Sequence, residues 1–81
     1  MNERIRTVVE NYAKLPVGVK AIKDTDDLYQ AGLTSHASVN LMLALEDEFD
    51  IEFPERMLKR TTFESIDAIA QAIDDILSEA A

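Results

Sequence analysis

The chain has 81 residues, no cysteine, and sixteen acidic against eight basic side chains, for a formal net charge of −8. A chain of this length makes one small domain, residues 1–81, whose core buries about 60–65% of the unfolded surface. The missing thiol excludes disulfides, cysteine–metal sites and a thiol nucleophile of the chain's own, and the negative balance argues against nucleic acid as a partner.

The charge is unevenly spread. Residues 1–23 hold five bases and two acids, residues 24–55 nine acids and no base, and residues 56–60 three bases. The field is therefore negative around the middle of the chain, which suits partners with basic patches. No run of 18 apolar residues occurs, so the expectation is a cytoplasmic protein with no membrane partner.

Ile5, Val8, Val9, Tyr12 and Ala13 recur at helical spacing and predict a helix over about residues 2–14, which Pro16 ends. Residues 15–34 then form a long first loop, with Val17, Val19, Ile22, Leu28 and Leu33 as apolar pins and Asp24, Thr25, Asp26 and Asp27 as a capped helical turn. A calcium reading of those acids fails. The calcium-loop pattern begun at Asp24 needs an oxygen ligand where Leu28 stands and a glycine where Tyr29 stands.

The central helix is predicted from residue 35 to 49. At 100° per residue, Leu41, Leu45, Phe49 and Met42 share one arc and make a core-facing stripe. Val39 and Leu43 fall outside it, on the flank that carries His36 and Asp47. His36, Val39, Leu43, Glu46 and Asp47 are thus the predicted partner-facing surface. Thr34 and Ser35 compete to cap this helix, and with no Glu or Gln three residues on, the residues leave both readings open. If Thr34 caps, the Ser35 hydroxyl turns outward, where free N–H groups and the helix dipole favour a phosphate by about 0.3–1 kcal/mol.

Residues 50–53 leave the helix as an alternating segment too short for a sheet strand. Pro54 suits the first position of a short helix reaching to about residue 60, and Thr61 with Glu64 offers a capping box. Phe63, Ile66, Ile69, Ala70, Ile73, Ile76 and Leu77 then mark the last helix, ending near residue 79. The predicted fold class is all-α: a small four-helix bundle, three longer helices and one short one, with a long first loop. Gly18 and Gly32 are the only glycines, so no phosphate-binding loop or dinucleotide fingerprint is present. His36 is the only histidine and adjoins Ser35, so the two side chains diverge by about 100° and make no nucleophile pair.

Asp27-Leu28, Gly32-Leu33-Thr34-Ser35-His36 and Leu45-Glu46-Asp47-Glu48-Phe49-Asp50-Ile51-Glu52-Phe53-Pro54 resemble the acyl carrier protein family across nearly the whole chain. The resemblance implies a carrier rather than an enzyme, with 4′-phosphopantetheine held covalently on Ser35, the counterpart of the serine in the family's Asp-Ser-Leu motif. It further implies a phosphopantetheinyl transferase, a cargo-loading ligase and a downstream transferase as partners of a monomeric chain. Departures are concentrated at the motif. Thr34, His36 and Ala37 stand where Asp, Leu and Asp are usual, Asn40 replaces a common Glu, and Glu55-Arg56-Met57-Leu58-Lys59-Arg60 is basic and one residue shorter than its usual acidic counterpart.

These losses weaken docking to partners that read the acids. They are similar to the motif of stand-alone carriers loaded with amino acids, so a thioester-linked amino acid is the expected cargo. Two alternatives stand beside it: a specialised acyl carrier for fatty-acid or polyketide-type chains, which needs a cavity among Leu41, Leu45, Phe63 and Ile69, and an unmodified helical interaction module whose Ser35 is a cap.

Overall fold

Ile5, Val8 and Val9 lie on one side of the first helix, α1 (Asn2–Tyr12), and are buried together with Ala13, its C-terminal cap. In this computed structural model, which describes residues 1–13, 15–16 and 18–80, α1 stops two residues short of the expected end. Tyr12, expected on the buried face, is 52% exposed. Two further helices follow, α2 (Ser35–Phe49) and α3 (Ile66–Ala80), and the described residues contain no strand. The bounds of α2 are those predicted. Its Leu41 and Leu45 are fully buried against Ile5 and Val9 of α1 and Ile66, Ile69 and Ile73 of α3 in one hydrophobic core.

The expected fourth helix is not there. Residues 55–63 make two separate 3-10 turns, Glu55–Met57 and Arg60–Phe63. Between them Leu58 takes φ −82, ψ 69, and the Lys59 N–H donates to the Met57 carbonyl at 2.9 Å, an inverse γ-turn that breaks any helix. The break lets Phe63 reach the core, where its ring meets that of Phe53 edge-on at 5.3 Å.

The predicted capping box at Thr61 is also replaced. In a helix begun there, the Glu64 carbonyl would accept the Ala68 N–H; instead it accepts the Leu28 N–H at 2.7 Å, and Ala68 donates to Ser65 Oγ at 3.0 Å. Ser65 is therefore the cap of α3. Leu77, assigned to the core-facing set, is 42% exposed in the last turns.

The long first loop is fastened at both ends of its central part. Asp27 forms the expected capped turn, its Oδ1 accepting the Tyr29 N–H at 2.8 Å and its carbonyl the Ala31 N–H at 3.1 Å. Ile22, Leu28 and Leu33 are buried pins, whereas Val17 and the side chain of Val19 lie outside the described residues. The Asp24 carbonyl accepts the Asp67 N–H at 3.0 Å, satisfying one of the amides that α3 leaves open in its first turn. On the α1 side, Asn2 donates to Asp24 Oδ2 at 3.0 Å and Arg6 to Oδ1 at 3.0 Å from Nε and 2.6 Å from Nη2.

Hydrogen bonds from Asn2 and then Arg6 hold the Asp24 carboxyl below its ordinary value of 3.8. Because the folded value is the lower one, this contribution to stability is full above pH 3.8 and is lost as pH falls through the folded value. Thermal melts of wild type and Asp24→Ala should therefore differ at neutral pH and converge in strong acid. A gap that persists unchanged far below the carboxylate range would contradict the assignment.

Candidate functional site

The start of α2 is set by a glycine and a threonine. Gly32 has φ +116, and a Cβ there would stand 2.7 Å from Cδ of Pro16, so only glycine allows this close approach. Leu33 follows, buried, with its N–H on the Leu28 carbonyl at 2.9 Å. Thr34 then leaves the loop in extended conformation, and its Oγ1 accepts the Ala37 N–H at 3.0 Å. The competition between the two hydroxyls is thus decided for Thr34.

Ser35 becomes the first residue of α2, and it is exposed. The first ladder bond of the helix runs from the Ser38 N–H to the Thr34 carbonyl at 2.9 Å, so the Ser35 and His36 amides precede the ladder. Negative charge is favoured at such an end. This chain places no acid in the first turn of α2 to use that position.

From Ser35 one flank of α2 runs outward through His36, Val39, Leu43 and Asp47, all exposed, with Val39 at 52% and Leu43 at 53%. Two half-exposed aliphatic side chains one turn apart on a helix otherwise buried through Leu41 and Leu45 form a small apolar face beside the serine. Glu46 behaves differently. It is half-buried, and its Oε2 accepts the Phe53 N–H at 2.8 Å, so this carboxylate ties the segment after α2 back to the helix.

On the other side of Ser35 lies an open cleft of about 530 Å³. Tyr29, Met42, Leu58 and Phe63 give it apolar walls, and Lys59 and Arg60 give it positive charge. The Arg60 guanidinium stacks 4.0 Å over the Tyr29 ring. Partial burial pushes the Tyr29 phenol above its ordinary value of 10.0, against the opposing pull of Arg60. Neither Tyr29 nor the cleft is foreseeable from local patterning, since Tyr29 and Arg60 meet only through the fold; the one sequence signal was the basic composition of residues 56–60. Among the described residues no cluster of His, Cys, Asp or Glu is arranged to hold a metal ion, and no helix is long and apolar enough to cross a membrane.

An exposed primary hydroxyl on the first turn of a capped helix, flanked by an apolar face and a cleft with two cations, fits the covalent attachment of a phosphate-linked arm. Residues 3–73 match the family described as the phosphopantetheine attachment site, and the chain belongs to that family. It is a carrier protein for covalent 4′-phosphopantetheine, a substrate of other enzymes rather than an enzyme.

Its relatives narrow the class. The aminoacyl carrier protein of Agrobacterium fabrum strain C58 is 49% identical over 77 residues, 95% of this chain and 93% of its own. A crystal structure of an engineered Bradyrhizobium japonicum glycine:[carrier protein] ligase complexed with the carrier protein from Agrobacterium tumefaciens and AMP contains a similar chain. That chain has a TM-score of 0.89 and 49% identity, with 91% of this chain and 99% of that one covered. The solution structure of a holo acyl carrier protein from Nitrosomonas europaea matches with a TM-score of 0.83 and 25% identity over 95% of each chain.

The division of labour between the two hydroxyls is testable by unfolding. Thr34→Ala removes the acceptor for the Ala37 N–H and should cost about 0.5–2 kcal/mol in urea denaturation, whereas Ser35→Ala should leave the midpoint close to wild type. The reverse order of stabilities would assign the cap to Ser35.

Proposed function

We propose that this chain carries an amino acid as a thioester on a 4′-phosphopantetheine arm esterified to Ser35, working in the cytoplasm. The observation that carries this reading is the exposed first-turn position of Ser35, freed from capping by Thr34. When bound, the group supplies a terminal thiol, the nucleophile that a chain without cysteine lacks. Ser35 presents its hydroxyl where α2 favours the phosphodiester charge. Thr34 and Gly32 hold that end of the helix in place.

The amino-acid cargo is supported by the 49% identical aminoacyl carrier protein and by the similar carrier complexed with a glycine ligase. A ligase of that kind is therefore the proposed loading partner, with a phosphopantetheinyl transferase before it and a transferase after it. Treatment with a phosphopantetheinyl transferase and coenzyme A should raise the intact mass by one phosphopantetheine in wild type and by nothing in Ser35→Ala. Loading the product with a glycine ligase and ATP should then add one aminoacyl group. Modification of Ser35→Ala would refute the site, and exclusive loading with long fatty acids would refute the cargo.

His36, Val39, Leu43 and Asp47 are the proposed docking face for the ligase, with Glu46 contributing through the geometry of the helix end. A truncated apolar contact at the centre of an interface costs about 1–2 kcal/mol, or about 5–30-fold in affinity. Leu43→Ala and Val39→Ala should slow loading by that order while the melting temperature stays near wild type, because both side chains are already half in water. A collapse of stability in either variant would show the residue to be core.

A further inference from the structure

The four arginines of the chain are not used alike. Arg4 pairs with Glu48, Arg6 with Asp24 and Arg56 with Glu79, each taking a carboxylate from a distant part of the chain. Arg60 is the exception. Its guanidinium stacks on the Tyr29 ring, and among the described residues neither Arg60 nor its neighbour Lys59 has a carboxylate within ion-pair distance.

Their position is set by the break between the two 3-10 turns. Met57 packs against the core and Phe63 enters it, but the γ-turn at Leu58 leaves Leu58, Lys59 and Arg60 exposed in succession, Leu58 to 49%. A guanidinium stacked flat on a ring keeps its N–H groups at the edge of the plane, where a carboxylate takes them in pairs. The segment is thus a ridge of one apolar side chain and two cations.

Ser35 and Val39 line one side of the open cleft, and Leu58, Lys59 and Arg60 line it as well. An enzyme docked on Val39 beside Ser35 therefore brings its surface to the ridge across that opening. The chemistry of the ridge favours a protein surface over a polyanion. The chain has a net charge of −8, so nucleic acid or an anionic membrane is repelled wherever its charge extends beyond the reach of two cations, about 8 Å at physiological salt. A few carboxylates set among apolar side chains meet no such penalty.

On the reading that Ser35 carries an aminoacylated arm, we propose that the loading ligase docks across the cleft, presenting carboxylates to Lys59 and Arg60 and apolar groups to Leu58 and Val39. This contact has the opposite sign to the charge of the chain as a whole. A ligase surface that bears acids there is attracted by this ridge and repelled by a carrier whose corresponding segment is acidic, so the ridge sets partner choice as well as affinity.

The test uses holo protein, its adduct on Ser35 verified by mass, as substrate for the engineered Bradyrhizobium japonicum glycine ligase with glycine and ATP. Lys59→Ala should lower kcat/KM by about two- to five-fold, the range of one exposed ionic contact. Lys59→Glu with Arg60→Glu should lower it by about tenfold or more, since like charges then face each other. The loss should lie in KM with kcat little changed, and added salt should slow loading of wild type more than of the double variant. Thermal melts separate docking from folding. If the double variant is destabilised, Lys59→Glu alone, which keeps the Tyr29–Arg60 stack, gives the same readout.

Loading of the double variant at the wild-type rate or faster overturns the ridge and leaves the carrier reading standing. Retention of wild type but not of the double variant on phosphatidylglycerol vesicles, with loading unchanged, also overturns it and assigns the two cations to a lipid surface. A wild type that forms no adduct on Ser35, or whose adduct accepts no amino acid, overturns the carrier reading itself and the ridge with it.

Discussion

The Ser35 end of the molecule depends on how residues 24–33 are fastened across it. Leu28 is fully buried and gives its N–H to Glu64, while the Asp24 carbonyl takes the Asp67 amide of α3. These bonds join the first loop to the third helix, and Asp24 joins the same loop to α1 through Asn2 and Arg6. Gly32 and Thr34 follow within a few residues, so the origin of α2 is held by a segment tied to both other helices. With the arm attached at Ser35 as proposed, such a fixed mount keeps the geometry of the attachment point from one encounter to the next.

Electrostatics divide the surface by use. Several of the acids from residue 24 to residue 48 make contacts within the fold. Asp24 binds Arg6, Asp27 caps a turn, Glu46 holds the Phe53 amide and Glu48 pairs with Arg4, whose guanidinium also lies 4.3 Å over the Phe49 ring. Around Ser35 the side chains are instead neutral or basic. A chain with acids at Thr34 and Ala37 would offer a partner charge to read from afar, which chiefly affects the rate of encounter. This chain offers at that end a small apolar face at Val39 and Leu43 and two cations in the cleft, features that act at contact.

The size of the domain sharpens the same point. In 81 residues the core is a single cluster around Leu41, Leu45, Phe63 and Ile69, and all four are buried. The open volume beside Ser35 borders that cluster at Phe63 and at Tyr29 and Met42, which pack against it. A small cargo leaves the packed core undisturbed, whereas a long acyl chain has to part those side chains, at the cost that opening a cavity in a close-packed interior carries.

The sequence alone determined whatever rests on local periodicity and on the chemistry of single residues. The class of fold, the bounds of α2, its buried Leu41 and Leu45 and its exposed Val39 and Leu43 follow from a 100° repeat that each residue obeys independently. The pointer to a group carried on Ser35 came from the resemblance of its motif to the carrier family, because the residues alone left Thr34 and Ser35 both open as the cap of α2 until the fold gave that role to Thr34. Tertiary structure decided the features in which distant residues compete for one partner. The Glu64 carbonyl accepts the Leu28 N–H rather than that of Ala68, so Ser65 and not Thr61 caps α3, and a γ-turn at Leu58 divides the expected fourth helix into two 3-10 turns. Tyr29 meets Arg60 across 30 residues of intervening chain only once both loops are docked. Hydrogen bonds and ring contacts between segments far apart in the chain leave no period in the sequence, so their outcome is fixed only when the core closes and brings the rivals within reach.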